Sequence, residues 1–161
     1  MVIWAKITII LYFFTTSLFL FLFMALVFFY LFVFIKNQLK KGMPHIVLDS
    51  KLNIFDYSVL FSPIFEKSPL IRIQNMYVES TGISALFSVV VIDDTHHEFF
   101  IQLLSGKDRT TIRLLPVTDP VKTDSVKKSL ALLCLQIQKH YPQMSITKSN
   151  LWDYLPKKIV N

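Results

Sequence analysis

The stretch from Ile7 to Ile35 constrains this chain more than any other, because it contains no charged residue and is filled by Phe, Leu, Ile and Val. A helix crosses the hydrocarbon core of a bilayer with about 20 such residues, at roughly 1.5 Å of rise each. The run holds 29 residues, enough to cross once with tilt. Thr15, Thr16 and Ser17 do not break it, because their hydroxyls can bond back to carbonyls one turn earlier. No Gly or Pro lies within it to turn the chain into a hairpin. The expectation is one transmembrane helix over 7–35, after a short tail at 1–6. Its apolar core is too long for a secretory leader, and no small-residue cleavage pattern closes it, so it should stay attached.

Lys6 and the terminal amine flank one side of the run, and Lys36, Lys40 and Lys41 flank the other. Lys and Arg concentrate on cytoplasmic flanks, which puts the C-terminal part on the cytoplasmic side; the competing orientation keeps the N-terminus inside and the domain in a periplasm, lumen or intermembrane space. Residues 36–44 read as a basic juxtamembrane linker in which Gly42 and Pro44 end any helical continuation. About 120 residues remain, enough for one small domain with its own core. The chain carries a net charge of +6, and all its acids follow the apolar run, so the part beyond is basic by about five charges. That excess suits anionic lipid head groups or an acidic partner. A single cysteine, Cys134, excludes an intrachain disulfide, and no Asn-x-Ser/Thr sequon occurs. Both fit a reducing compartment. Cys134 sits in an apolar helical run and reads as a buried structural thiol.

From residue 45 the pattern becomes that of a soluble domain. A short apolar run at 45–48 turns at 49–51, and 52–61, rich in Ile, Phe, Tyr and Val, reads as a returning strand. Two Ser-Pro pairs bracket a loop whose apolar tip, Ile64 and Phe65, can touch lipid or a partner, or fold back. Alternating segments at 70–78, 83–92, 97–104 and 110–115 are separated by turn residues, which predicts an antiparallel meander. Val90 and Ile92 make the second face of one strand apolar too, so both faces at that end should be covered. A helix is expected over 119–141, opened by Asp119-Pro120. Val126, Leu130, Leu133, Ile137 and Tyr141 fall on one of its faces. Leu132 and Leu135 widen the stripe, so either the helix is deeply embraced or a second face meets another protein. The tail, 142–161, carries Trp152 and can pack on the domain or dock elsewhere. The fold class is therefore α+β: a transmembrane helix, then an antiparallel sheet of about six strands over 45–141, closed by a C-terminal helix.

Chemistry is sparse. Residues 93–98, Asp-Asp-Thr-His-His-Glu, are the one cluster with metal-ligating groups. Adjacent residues of an extended chain point to opposite faces, however, so His96 and His97 do not converge easily. No nucleophile elbow, Walker loop or dinucleotide fingerprint occurs, and no cofactor is expected. Basic residues are scattered and only three are Arg, which argues against nucleic acid. Lys122, Lys127 and Lys128, with Arg113, can form one basic patch near the helix start.

The order of elements, an anchor, about six antiparallel strands and a closing helix, resembles that of membrane-anchored pleckstrin-homology-like domains. The resemblance covers roughly 45–141 and implies a scaffold or accessory role in a membrane complex. It does not imply phosphoinositide binding, because the basic loop between the first two strands is missing. The expected function is a non-catalytic, single-pass accessory or assembly subunit with integral membrane proteins as partners. The alternative is a membrane-tethered lipid-handling or metal-dependent enzyme using Asp93–Glu98.

Overall fold

The computed structural model of the protein describes residues 23–31 and 42–156. Its contacts divide the chain into two units, Met1–Gly42 and Met43–Asn161. In the first unit residues 23–31 are helical. Phe23, Leu26, Phe28, Phe29 and Tyr30 are all exposed, so apolar side chains point outward all round this stretch. Among the described residues no helix is long and apolar enough to cross a membrane. The rest of the span expected over 7–35 lies outside the described residues. So do the tail at 1–6 and the linker lysines Lys36, Lys40 and Lys41.

The second unit is α+β. Its seven strands are β1 (His45–Leu48), β2 (Ile64–Lys67), β3 (Leu70–Val78), β4 (Ser84–Ile92), β5 (His96–Ser105), β6 (Thr110–Leu114) and β7 (Ile146–Ser149). They form one curled antiparallel sheet in the order β2-β3-β4-β5-β6-β1-β7. The meander β3 to β6 follows the alternation of the sequence. Ala85, Phe87, Val89 and Val91 of β4 face Phe99, Ile101 and Leu103 of β5 on the buried side. In β3 the alternation changes phase. Ile71 and Ile73 face inward, then a register shift between Ile73 and Met76 inserts one extra residue. Met76 and Val78 thereby pack on the core as well. Without that bulge the far half of the strand would turn its apolar side chains to solvent.

Two helices cover the inner face. Helix α1 is Ile54–Leu60 and helix α2 is Asp124–His140. α1 corrects the expectation of a strand over 52–61. Asn53 caps it, accepting from the N–H groups of Phe55 and Asp56. Its Ile54 and Tyr57 are buried, and Phe61, one turn further, packs on the core. These three are spaced for a helix face, and composition alone concealed that spacing. The start of α2 is also corrected. Asp119-Pro120 does not open it. Pro116–Thr118 forms a 3-10 turn, the chain crosses the end of the sheet, and Thr123 is the N-cap, accepting from Val126 N–H at 3.3 Å.

Four further expectations change. Ile64 and Phe65 are not a loop tip but part of edge strand β2, with Ile64 opposite Ile73. β1 does not pair with the segment after it. It lies between β6 and β7, with His45 opposite Arg113 and Ile46 opposite Ser149. Ile83 lies before β4 rather than opening the strand, and Ile92 is 45% exposed rather than covered. The segment after Tyr141 belongs to the domain: it supplies β7 and buries Met144, Leu151 and Leu155. Along α2, Val126, Leu130, Leu133, Cys134 and Ile137 are buried.

Candidate functional site

Polar groups inside the domain hold the chain together. Thr110 is fully buried. Its hydroxyl oxygen accepts from Leu52 N–H at 2.9 Å, and its hydroxyl donates to the Ser50 carbonyl at 2.8 Å. The Ser105 hydroxyl donates to the Leu52 carbonyl at 2.6 Å. The two side chains thus take both backbone groups of Leu52 where the chain passes from β1 to α1, with no strand beside it to do so. Among the described residues no buried side-chain nitrogen or oxygen lacks a partner. Burial pushes the Cys134 thiol up to about 12, which keeps it protonated and inert as a nucleophile.

The Asp93–Glu98 cluster divides into two pieces. His96 Nε2 lies 3.3 Å from Glu98 Oε1 on the solvent side. His97 turns the other way, with Nε2 2.6 Å from Thr95 Oγ1 and 3.9 Å from Asp93 Oδ1. The second Asp93 oxygen accepts from the Thr123 hydroxyl at 2.9 Å. Thr95 N–H and the Thr123 hydroxyl, with His97 a lesser influence, hold the Asp93 carboxyl below the usual range. Asp93 therefore clasps the β4–β5 turn to the cap of α2. Among the described residues no group of three or more His, Cys, Asp or Glu is placed to hold a metal ion.

Each lysine of the expected basic patch is paired with an acid. Lys122 pairs with Asp119 at 3.0 Å, Lys127 with Asp124 at 3.0 Å, and Lys128 reaches across to Glu66 of β2 at 3.2 Å. Arg113 donates to Gln102 Oε1 on the sheet's outer face. Of the 17 Lys and Arg, six (Lys6, Lys36, Lys40, Lys41, Lys157 and Lys158) lie outside 43–156, whereas all 11 acids lie inside it. That stretch has 11 charges of each sign and no net charge. The basic excess belongs to its flanks.

Of the apolar candidates, Leu132 packs on the domain's own core and Ile64 does the same, while Leu135 is half-buried. Phe65 is exposed, with the Arg72 guanidinium 5.5 Å from its ring centre. Trp152 stands 53% exposed in a second 3-10 turn, Trp152–Tyr154. The sequence reading missed two clusters of exposed apolar side chains. One joins Phe55 and Val59 of α1 to Ile83, with the Phe55 ring over Gly82 in the β3–β4 turn. The other lies where the chain enters the domain. There His45 N–H donates to Asn150 Oδ1 and Asn150 Nδ2 donates to the Met43 carbonyl. Hydrogen bonds tie the neighbouring segments to the start of α2: the Thr123 hydroxyl donates to Asp93 of the 93–95 turn, and the Tyr154 hydroxyl of the Trp152 turn donates to Asp124. Ile92, Val117, Val121 and Trp152 are this cluster's exposed apolar residues. For Val117, Val121 and Trp152 the only sequence signal was hydrophobic character in segments otherwise built of turn residues, whereas Ile92 ends the alternating run at 83–92. Compared with family models, curated proteins and solved structures, the chain finds no match.

Proposed function

We propose that this protein is a single-pass, membrane-anchored, non-catalytic accessory or assembly subunit. Its α+β domain would contact integral membrane partners from the cytoplasmic side. The observation that carries this reading is the uncharged run from Ile7 to Ile35. Inside it, residues 23–31 are helical and show apolar side chains on every side. A helix apolar all round is matched to lipid or to a large protein interior. About twenty Leu, Ile, Phe and Val, each favourable by roughly 0.3–0.6 kcal/mol at mid-bilayer, make insertion favourable by on the order of 10 kcal/mol. The domain supports a contact role because its buried polar groups are committed to the fold and its exposed apolar side chains gather in clusters. The likeness to membrane-anchored pleckstrin-homology-like domains belongs to the same proposal. It is supported by the antiparallel meander and the single long C-terminal helix.

The test is extraction of membranes from cells making the full chain with a C-terminal tag. The protein should resist alkaline carbonate, come out with mild detergent, and bring other membrane proteins with it in fixed ratio. In sealed vesicles the tag should be cleaved by protease added on the cytoplasmic side. Release by a salt wash, or a partnerless monomer in detergent, would overturn the reading.

A further inference from the structure

We infer that the end of the domain where the chain enters rests on the bilayer interface, with Trp152, Val121, Val117 and Ile92 reaching among the lipid head groups. The inference rests on the reading of 7–35 as a membrane anchor and adds a lipid-contact surface on the domain itself. Val117 is 90% exposed, Val121 70%, Trp152 53% and Ile92 45%. They stand on four segments brought to one end by the fold: the 3-10 turn after β6, the crossover to α2, the turn after β7, and the last residue of β4. The elements beneath them are fixed. Thr118 Oγ1 accepts from Phe100 N–H, Thr123 donates to Asp93, and the Tyr154 hydroxyl donates to Asp124. The exposed side chains are thus presented on a rigid base.

The occupant is argued from where the chain leaves the domain. The Met43 carbonyl accepts from Asn150, two residues before Trp152, and only eight residue steps separate Met43 from Ile35, a reach of no more than about 29 Å at full extension. The covalent chain therefore lets the Met43 side of the domain stand no farther than that from the end of the apolar run. Tryptophan is enriched at the water–membrane boundary, where its ring is apolar and its N–H is satisfied. The local ions do not select an anionic surface: Lys122 and Lys127 are paired with Asp119 and Asp124, and the Asp94 and Asp153 carboxylates stand exposed within two residues of Ile92 and Trp152. The contact is apolar and aromatic, and zwitterionic lipid suffices for it.

The chain has two tryptophans, so Trp4→Phe leaves Trp152 as the sole reporter. The full-length variant is placed in phosphatidylcholine nanodiscs with bromine near the top of the acyl chains. Trp152 emission should fall roughly twofold against unbrominated discs, with aqueous iodide quenching reduced to match. A full-length Trp4→Phe, Trp152→Phe, Ile83→Trp variant, with its reporter at the opposite end of the sheet, should ignore bromine and respond to iodide. If Trp152 ignores bromine while the chain stays with the discs, the inference fails and the anchor stands. Shielding from iodide without bromine quenching would mean protein covers this end instead, and also overturns it. A chain that does not stay with the discs removes the anchor and the inference together.

Discussion

Thr110 shows how much of this fold hangs on single polar side chains. Thr110→Val keeps the shape but leaves the Leu52 N–H and the Ser50 carbonyl without their partner. A buried unsatisfied group costs about 1–3 kcal/mol, so the urea midpoint should fall accordingly, and an unchanged midpoint would contradict the clamp. Gly82 is the one described residue with a left-handed backbone, at φ 69°. A Cβ there would also meet Phe55 Cε2. Gly82→Ala should therefore destabilise by about 1–3 kcal/mol, and adding Phe55→Ala should recover the steric part while the backbone strain remains.

Asp93 and Asp124 give the domain an acid-sensitive edge. Thr95 N–H and the Thr123 hydroxyl lower the first. The Tyr154 hydroxyl and then Lys127 lower the second. A carboxyl whose folded value is depressed adds stability that is fully present above its ordinary value, near 3.8. That stability is lost as pH falls through the lower folded value. Chemical denaturation at about pH 6 and again near pH 2 should show the deficit of Asp93→Asn shrinking in acid. A deficit that grows in acid would refute the assignment.

At the scale of elements, α1 is the piece the sequence hid. The run 52–61 is rich in strand-favouring side chains, yet Asn53 stands three residues before Asp56, a helix-start pattern. Ile54, Tyr57 and Phe61 keep helical spacing. The helix is too short to be stable alone, so tertiary contacts select it. Tyr57 supplies several of them. Its ring is buried beside Phe61, Phe87 and Tyr141, and its hydroxyl donates to Gln136 Oε1 of α2 at 2.9 Å. Burial, with Tyr141 next, pushes the phenol well above its ordinary value. Tyr57→Phe should cost about 1 kcal/mol and Tyr57→Ala about 3–5 kcal/mol, read from thermal or urea unfolding. Equal effects of the two would mean the ring carries no packing. The meander β3 to β6 was legible because each strand alternates and each turn announces itself. β2 and β7, four residues each, were not, because a short edge strand shows too little alternation to stand out.

For the whole molecule, the tail after Tyr141 decides where the domain ends. β7 closes the open side of β1, and Met144, Leu151 and Leu155 enter the core. A fragment spanning 43–141 loses all of this, at about 2–5 kcal/mol for each large apolar side chain removed. It should lack a cooperative unfolding transition, whereas 43–156 should unfold in a single step. Cooperative unfolding of the shorter fragment would make the tail an accessory. The charge balance changes meaning at this scale too. The excess that read as a basic domain lies wholly on its flanks, and the lysines proposed as one patch are tied to separate acids.

The residues alone determined the uncharged apolar run, the four-stranded meander and the buried face of the long helix, because each is a local period repeated often enough to stand out. The tertiary structure decided the rest: the helical state of 54–60, β1 between β6 and β7, the two halves of the Asp93–Glu98 cluster, and the gathering of Ile92, Val117, Val121 and Trp152 at one end. Those features depend on residues tens of positions apart meeting across the sheet, and no local pattern records such a meeting.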